Sequence, residues 1–193
     1  MILANSGNRR LRRAILRQLL TFSRKKDGVV SIEAALLFPF MILLLLGMID
    51  VTVMLSAQRK ATVATSAVVD LATQASAAVT KTQLNQYIDA VDAILKPYNA
   101  QDVKIELFNY RPNGNNVQLE WQHARGSCGG LPSNFSATEL KKLTAEDNDI
   151  LIGRVCLSFK PIVGYVLGTA AIKVEDAVAQ RPRQGRALDC TDC

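Results

Sequence analysis

Glu33 is the first residue whose position invites a chemical reading. It is the only charged side chain from Val29 to Ile49. It follows Gly28 by five positions and Val29 by four, and four residues are about 6 Å along a helix. A carboxylate at the head of a helix is favoured by the macrodipole by about 0.3–1 kcal/mol. That accounts for Glu33 and leaves Gly28 unexplained. Other reactive side chains are sparse. Zinc takes about four ligands, and His123 is the single histidine, placed on an expected strand out of step with the neighbours of Trp121. The terminal CTDC, Cys190 to Cys193, has the spacing of a redox dithiol. A working dithiol sits at a helix N-terminus, where the dipole lowers the thiol pKa, and this one ends a tail after RPRQGRA. The acid pairs Glu146/Asp147 and Glu175/Asp176 are consecutive, so on a strand or turn they diverge and read as solvated surface. No Walker-type glycine loop appears and no nucleophile is spaced from a base. The expectation is a protein without catalytic residues, cofactor or metal.

The elements that position Glu33 follow from charge and hydropathy. The formal net charge is +6. Residues 1–28 hold eight cations (Arg9, Arg10, Arg12, Arg13, Arg17, Arg24, Lys25, Lys26) against Asp27, a net of +7, which leaves −1 for the other 165 residues. The bulk of the chain therefore has no general attraction for polyanions, and nucleic acid is not expected as a partner. Within the basic head, Leu11, Ile15, Leu19 and Phe22 recur at near-helical spacing. Two readings fit: an amphipathic helix on an anionic leaflet, or a disordered cationic flank.

From Ala34 to Ala57 the only formal charge among 24 residues is Asp50. A bilayer core is crossed by about 20 apolar residues, so this run suffices, and Pro39 within it is tolerable in a spanning helix. Eight cations precede the run and only Arg59 and Lys60 directly follow it. The positive-inside rule puts the N-terminus in the cytoplasm and the rest outside. A cleaved secretory signal is disfavoured because the run is too long and MLSAQRKA is a poor cleavage site. The organisation expected is a basic leader (1–28), a membrane helix (29–57) and an exported domain (58–193).

In the exported part, Ala61, Ala64, Val68, Ala72, Ala75 and Val79 continue a helical stripe, which predicts one unbroken helix from Val29 to about Val79. LNQYIDAVDAILKP (84–97) predicts a second helix with Leu84, Ile88, Val91 and Leu95 on one face. VKIELFNY (103–110) and VQLEWQHA (117–124) alternate as strands around the hairpin signal Asn113-Gly114. A loop over 126–136, a short helix near 137–145, a strand near 150–159, a turn at Pro161 and a strand near 169–179 complete an α+β layout, expected as a four-stranded antiparallel meander packed on the long helix. The cysteines Cys128, Cys156, Cys190 and Cys193 all fall outside the membrane, where an even number reads as disulfides. Of three possible pairings, Cys128–Cys156 and Cys190–Cys193 are favoured.

Gly28 finds its explanation in a resemblance. KKDG followed by VVSIE resembles the processing signal of type IV prepilins: a basic leader, a glycine, a cut, and a glutamate as fifth residue of the mature chain. The resemblance implies cleavage by prepilin peptidase between Gly28 and Val29. It also implies that Glu33 of one subunit neutralises the Val29 ammonium of its neighbour, which would otherwise be buried unpaired at high cost. The continuation IEAALLFPFMILLLLGMIDV is similar to the TadE/TadF pseudopilins of tight-adherence (Flp-type) pilus systems, with Glu33, Pro39, Gly47 and Asp50 in matching order. Ala34 stands where that group often has an aromatic. The resemblance covers about residues 24–55 and implies a pilin-like fold, the bacterial inner membrane, and lipid, prepilin peptidase and other pilus or Tad assembly proteins as partners. Asp50 keeps two readings, an acid at the outer interface where charge is inexpensive and an inter-subunit contact. The alternative for the whole chain is an uncleaved single-pass protein whose periplasmic domain binds another protein or a ligand.

Overall fold

A computed structural model of the chain describes residues 27–75, 78–98, 102–114, 116–144, 148–168, 170–184 and 187–193. The expected amphipathic segment at 11–22 and the acid pair Glu146/Asp147 lie outside the described residues. The chain divides into two compact units after Gly47, and the division falls inside one helix, α1 (Asp27–Thr73).

In the first unit the described part is α1 as far as Gly47. Its apolar side chains, among them Leu36, Phe38, Phe40 and Leu44, are exposed. An 18-residue window of α1 reaches a mean hydropathy of 2.5 with none of it buried. The helix continues through Pro39 without interruption. It is long and apolar enough to cross a bilayer.

The second unit is an α+β head. The remainder of α1 buries Ala57, Ala61, Ala64, Val68, Val69 and Ala72 completely. The chain then leaves the helix, contrary to the unbroken rod expected to Val79. Ala78–Val79 form β1, paired in parallel with β6 (Asp189–Cys190). The stripe of small residues continues past Thr73 in the sequence, but a strand from the far end of the chain captures Val79. A local periodicity cannot register that partner.

Thr80 opens α2 (Lys81–Leu95) with a reciprocal capping box: the Gln83 N–H donates to Thr80 Oγ1 (3.2 Å) and the Thr80 N–H to Gln83 Oε1 (2.9 Å). Its buried face is Leu84, Ile88, Val91 and Leu95, the stripe read from sequence.

The sheet contains β2 (Val103–Asn113), β3 (Asn116–Arg125), β4 (Ile150–Phe159) and β5 (Ile172–Gln180), all antiparallel, in the order β3-β2-β4-β5. It is therefore not a simple meander, because β4 pairs with β2 and not with β3. Nine of ten positions in β4 are buried. A strand apolar on both faces belongs in the middle of a sheet, whereas β3, mostly exposed, takes an edge. The β2–β3 hairpin turns at Gly114, whose φ of 58° suits a residue without a Cβ.

The sheet is covered on both faces. On one, Ile105, Leu107, Leu151, Val155 and Leu157 join the core made by α1 and α2. The backbones approach so closely that a Cβ on Gly153 would lie 2.2 Å from Val69 Cγ2. On the other, Phe108, Ile150 and Ile152 pack under Leu140 of α3 (Ala137–Leu143) and Leu131 and Phe135 of the preceding loop. Where a turn was expected at Pro161, a short helix α4 (Ile162–Leu167) follows it.

Candidate functional site

Gly28 and Val29 lie in the first turn of α1 and Glu33 one turn later. Val29 and Glu33 are both exposed, and Glu33 makes no ion pair with another described residue. Among the described residues, the carboxylate at the head of this apolar helix has no cationic partner. Further along, a Cβ placed on Gly47 would meet no atom within 4 Å, so packing inside the chain does not require glycine there.

Asp50 has partners within the chain, which neither reading of it foresaw. It is only 8% exposed. Its two oxygens accept hydrogen bonds from the backbone N–H groups of Ile162 and Val163, each at 2.8 Å. The N-cap of α4 is Pro161, which supplies no side-chain hydrogen bond. The α1 carboxylate takes over the capping role, satisfying two N–H groups that would otherwise lack partners. The contact is within one chain.

In the head two clusters of charged side chains are built around the buried Asp149 and around the buried Glu106 and Arg154. Asp149 accepts from Arg111 Nε and Nη2 (2.9 Å each), Asn109 Nδ2 (2.9 Å) and the Leu188 N–H (2.8 Å). Burial alone would raise its carboxyl pKa, but Arg111, Leu188 and Asn109 together hold it below the ordinary carboxylate value. The Arg111 guanidinium is correspondingly raised. Trp121 Nε1 donates to the Leu188 carbonyl at 2.7 Å, so this cluster fixes the chain segment leading to β6. The second cluster ties down the loop before α3. Glu106 accepts from Ser127 Oγ (3.1 Å) and the Cys128 N–H (2.9 Å). Arg154 donates to the Gly130 carbonyl and pairs with Glu175 at 2.7 Å. Lys173 bridges Glu175 and the Cys128 carbonyl. Hydrogen bonds from Lys173 and Arg154 pull the Glu175 carboxyl below its usual range.

Cys128 is bonded to Cys156 and Cys190 to Cys193, the same two pairs favoured on sequence grounds. The first joins this loop to β4. In the second, the two sulfurs that would flank Asp192 in a metal site are bonded to each other. His123 shares the buried face of Trp121, two residues away, and its Nε2 lies 2.8 Å from Asn85 Oδ1 of α2. Burial, with Lys81 nearby, lowers its pKa. Glu175 is exposed, as expected of a surface acid, and also pairs with Arg154 and Lys173, while the neighbouring Asp176 is half-buried. The paired charges here hold loops and the chain's distal segment against the sheet.

The geometry thus sets apart one segment, α1 with its exposed Glu33, its bare apolar surface and its buried Asp50. Residues 28–70 match the family model of TadE-like proteins. Over this stretch the chain is TadE-like. The TadE-like segment starts at Gly28 and stops three residues short of the end of α1, so it takes in Glu33, Pro39, Gly47 and Asp50. The match suggests a Tad pilus-associated membrane protein, and the one long apolar helix among the described residues fits a membrane anchor. Neither the curated proteins nor the solved structures contain a match to the chain. Outside the TadE-like segment, sequence reasoning missed Asp149, Arg111, Glu106 and Arg154. Their one visible signal was charge inside otherwise apolar strand patterns, Glu106 and Arg154 above all.

Proposed function

We propose that this chain is a pseudopilin-like structural subunit of a Tad (Flp-type) pilus assembly or secretion apparatus. It sits in the bacterial inner membrane through residues 29–57, with its basic end cytoplasmic and its head exported. Prepilin peptidase removes the leader after Gly28, and the mature chain enters the assembly through α1, among other pilus subunits. Its part is mechanical and not enzymatic, and it uses neither cofactor, metal nor nucleic acid. The observation that supports this reading is a coincidence of position. The family match begins at residue 28, and an exposed acid with no described ion partner stands one helical turn after Val29. Such a carboxylate at the head of an apolar helix suits a cation brought by a neighbour. The ammonium created at Val29 by cleavage would be such a cation, and burying either charge alone is costly.

Mass-spectrometric sequencing of the protein extracted from its native membrane is the direct test. A mature chain beginning at Val29 is expected, and one retaining its arginine-rich leader would remove the pseudopilin reading. Glu33→Ala is expected to insert into the membrane as the unaltered chain does and to be depleted from the assembled structure. Normal incorporation of that variant would exclude the charge pair.

A further inference from the structure

The segment PIVGYVLG, residues 161–168, contains no charged side chain. In a head surrounded by water such a sequence would be drawn into the core. Yet Ile162 is 50% exposed, and Ile172, just beyond the segment, is 39% exposed. Among the described residues past Val63, the large hydrophobic side chains left exposed are Leu119, Ile162 and Ile172. Of the three, Ile162 opens α4 and Ile172 opens β5. Lys160, exposed at the same end of β4, supplies a cation beside them.

What covers this surface is indicated by its tether. Asp50 holds the first two N–H groups of α4, so the short helix begins at the level of residue 50. From Val29 to Asp50 is about 32 Å of helix at 1.5 Å per residue, just beyond the ~30 Å hydrocarbon core of a bilayer. Around Asp50 the α1 surface stays apolar and open at Met48, Ile49, Val51 and Leu55, and closes only at Ala57. Ile162, the exposed first residue of α4, is therefore held beside this open stretch of α1, at the depth where a span leaves the hydrocarbon. With both oxygens bonded to the backbone of α4, Asp50 is satisfied, and α4 gains the cap that Pro161 cannot give.

We propose that Lys160, Ile162 and Ile172 form a second membrane contact of this chain, lying in the interfacial layer of the bilayer that α1 crosses. Ile162 and Ile172 reach the acyl boundary, Lys160 faces the lipid phosphates, and Asp50 sets the depth. The occupant is lipid, because the surface continues that of the span. The proposal rests on the reading of α1 as a membrane helix, and the experiment separates the two. The full chain is reconstituted in phosphatidylethanolamine/phosphatidylglycerol vesicles as Ile162→Trp, Leu44→Trp and Leu119→Trp, all at exposed positions and all with the buried native Trp121 as common background. Emission is quenched either by phospholipid brominated on its acyl chains or by aqueous acrylamide. The expected result is loss of the added Ile162→Trp emission to brominated lipid, as for Leu44→Trp, while Leu119→Trp responds to acrylamide alone. Lipid quenching of Leu44→Trp with Ile162→Trp behaving like Leu119→Trp overturns the proposal and leaves the span intact. Shielding of Ile162→Trp from both quenchers would mean that a second copy covers the site, and also overturns it. Failure of lipid to quench Leu44→Trp removes the span and the proposal together.

Discussion

The two halves of α1 make the most instructive comparison in the molecule. Up to Leu55 the helix carries leucine, isoleucine, phenylalanine and methionine, nearly all exposed. From Ala57 onward its inner face narrows to Ala57, Ala61, Ala64 and Ala72, with Val68 and Val69, all without exposure. Both halves are apolar, so hydrophobicity does not distinguish them. Side-chain size does. Lipid chains mould themselves around any shape, whereas a sheet is a fixed surface, and the helix must be thin to come close to it. Gly153 is the matching concession on the sheet side, facing Val69.

Identical changes in the two halves test that contrast. The largest effect expected is on the head: Leu151→Ala, at a position with no exposure, should cost about 2–5 kcal/mol of unfolding stability. Leu44→Ala, on the exposed stretch, should leave the unfolding midpoint of the head unchanged, as measured by urea titration in detergent. Next come the small residues. Gly153→Ala or Ala64→Leu should each destabilise the head by about 1–3 kcal/mol through overpacking, while Ala35→Leu should be silent. If Ala64→Leu proves as harmless as Ala35→Leu, the close approach of helix and sheet is wrong.

The third prediction concerns pH and the buried charges of the head. The folded Asp149 carboxyl titrates below its ordinary value of 3.8 and Glu175 below 4.5. Unfolding therefore takes up protons in that range, and the stability these groups contribute is complete above it and lost as pH falls through the folded values. His123, lowered from 6.5, acts in the same direction: its contribution is complete above 6.5 and declines below it. Urea midpoints should fall as the solution is acidified. Asp149→Asn should lower stability at neutral pH by about 1–3 kcal/mol and flatten the acid limb, with His123→Gln producing the smallest change, confined to the interval just below 6.5. An Asp149→Asn chain with the acid limb of the unaltered protein would show that this carboxylate carries none of it.

Much of the fold is written locally. The span, the α2 stripe ending before Pro97, the Asn113-Gly114 hairpin and the strand at 150–159 all follow from periodicity and turn chemistry, and the structure has them within a few residues. What failed depends on partners distant in sequence. The end of α1 at Thr73 depends on a strand more than a hundred residues later, since the stripe itself runs on to Val79. The position of β4 beside β2 was readable in principle, because ILIGRVCLSF has no solvent face. The alternation of the first hairpin suggested a serial order instead. α4 escaped notice because a proline and two glycines mark its sequence as a turn, and its cap comes from residue 50. Of the candidate site, Glu33 and Asp50 were visible as charges in an apolar run. Only the fold shows that the first has no ion partner among the described residues and that the second is engaged.

The hairpin tip has a practical use. Gly114 joins two strands whose register is held by nine pairs, and a side chain added there would meet open space. A short epitope inserted at Gly114 should be accepted without disturbing the sheet. It would give an antibody handle on the head that leaves α1 and both disulfides untouched, so that the whereabouts of the protein could be followed in cells.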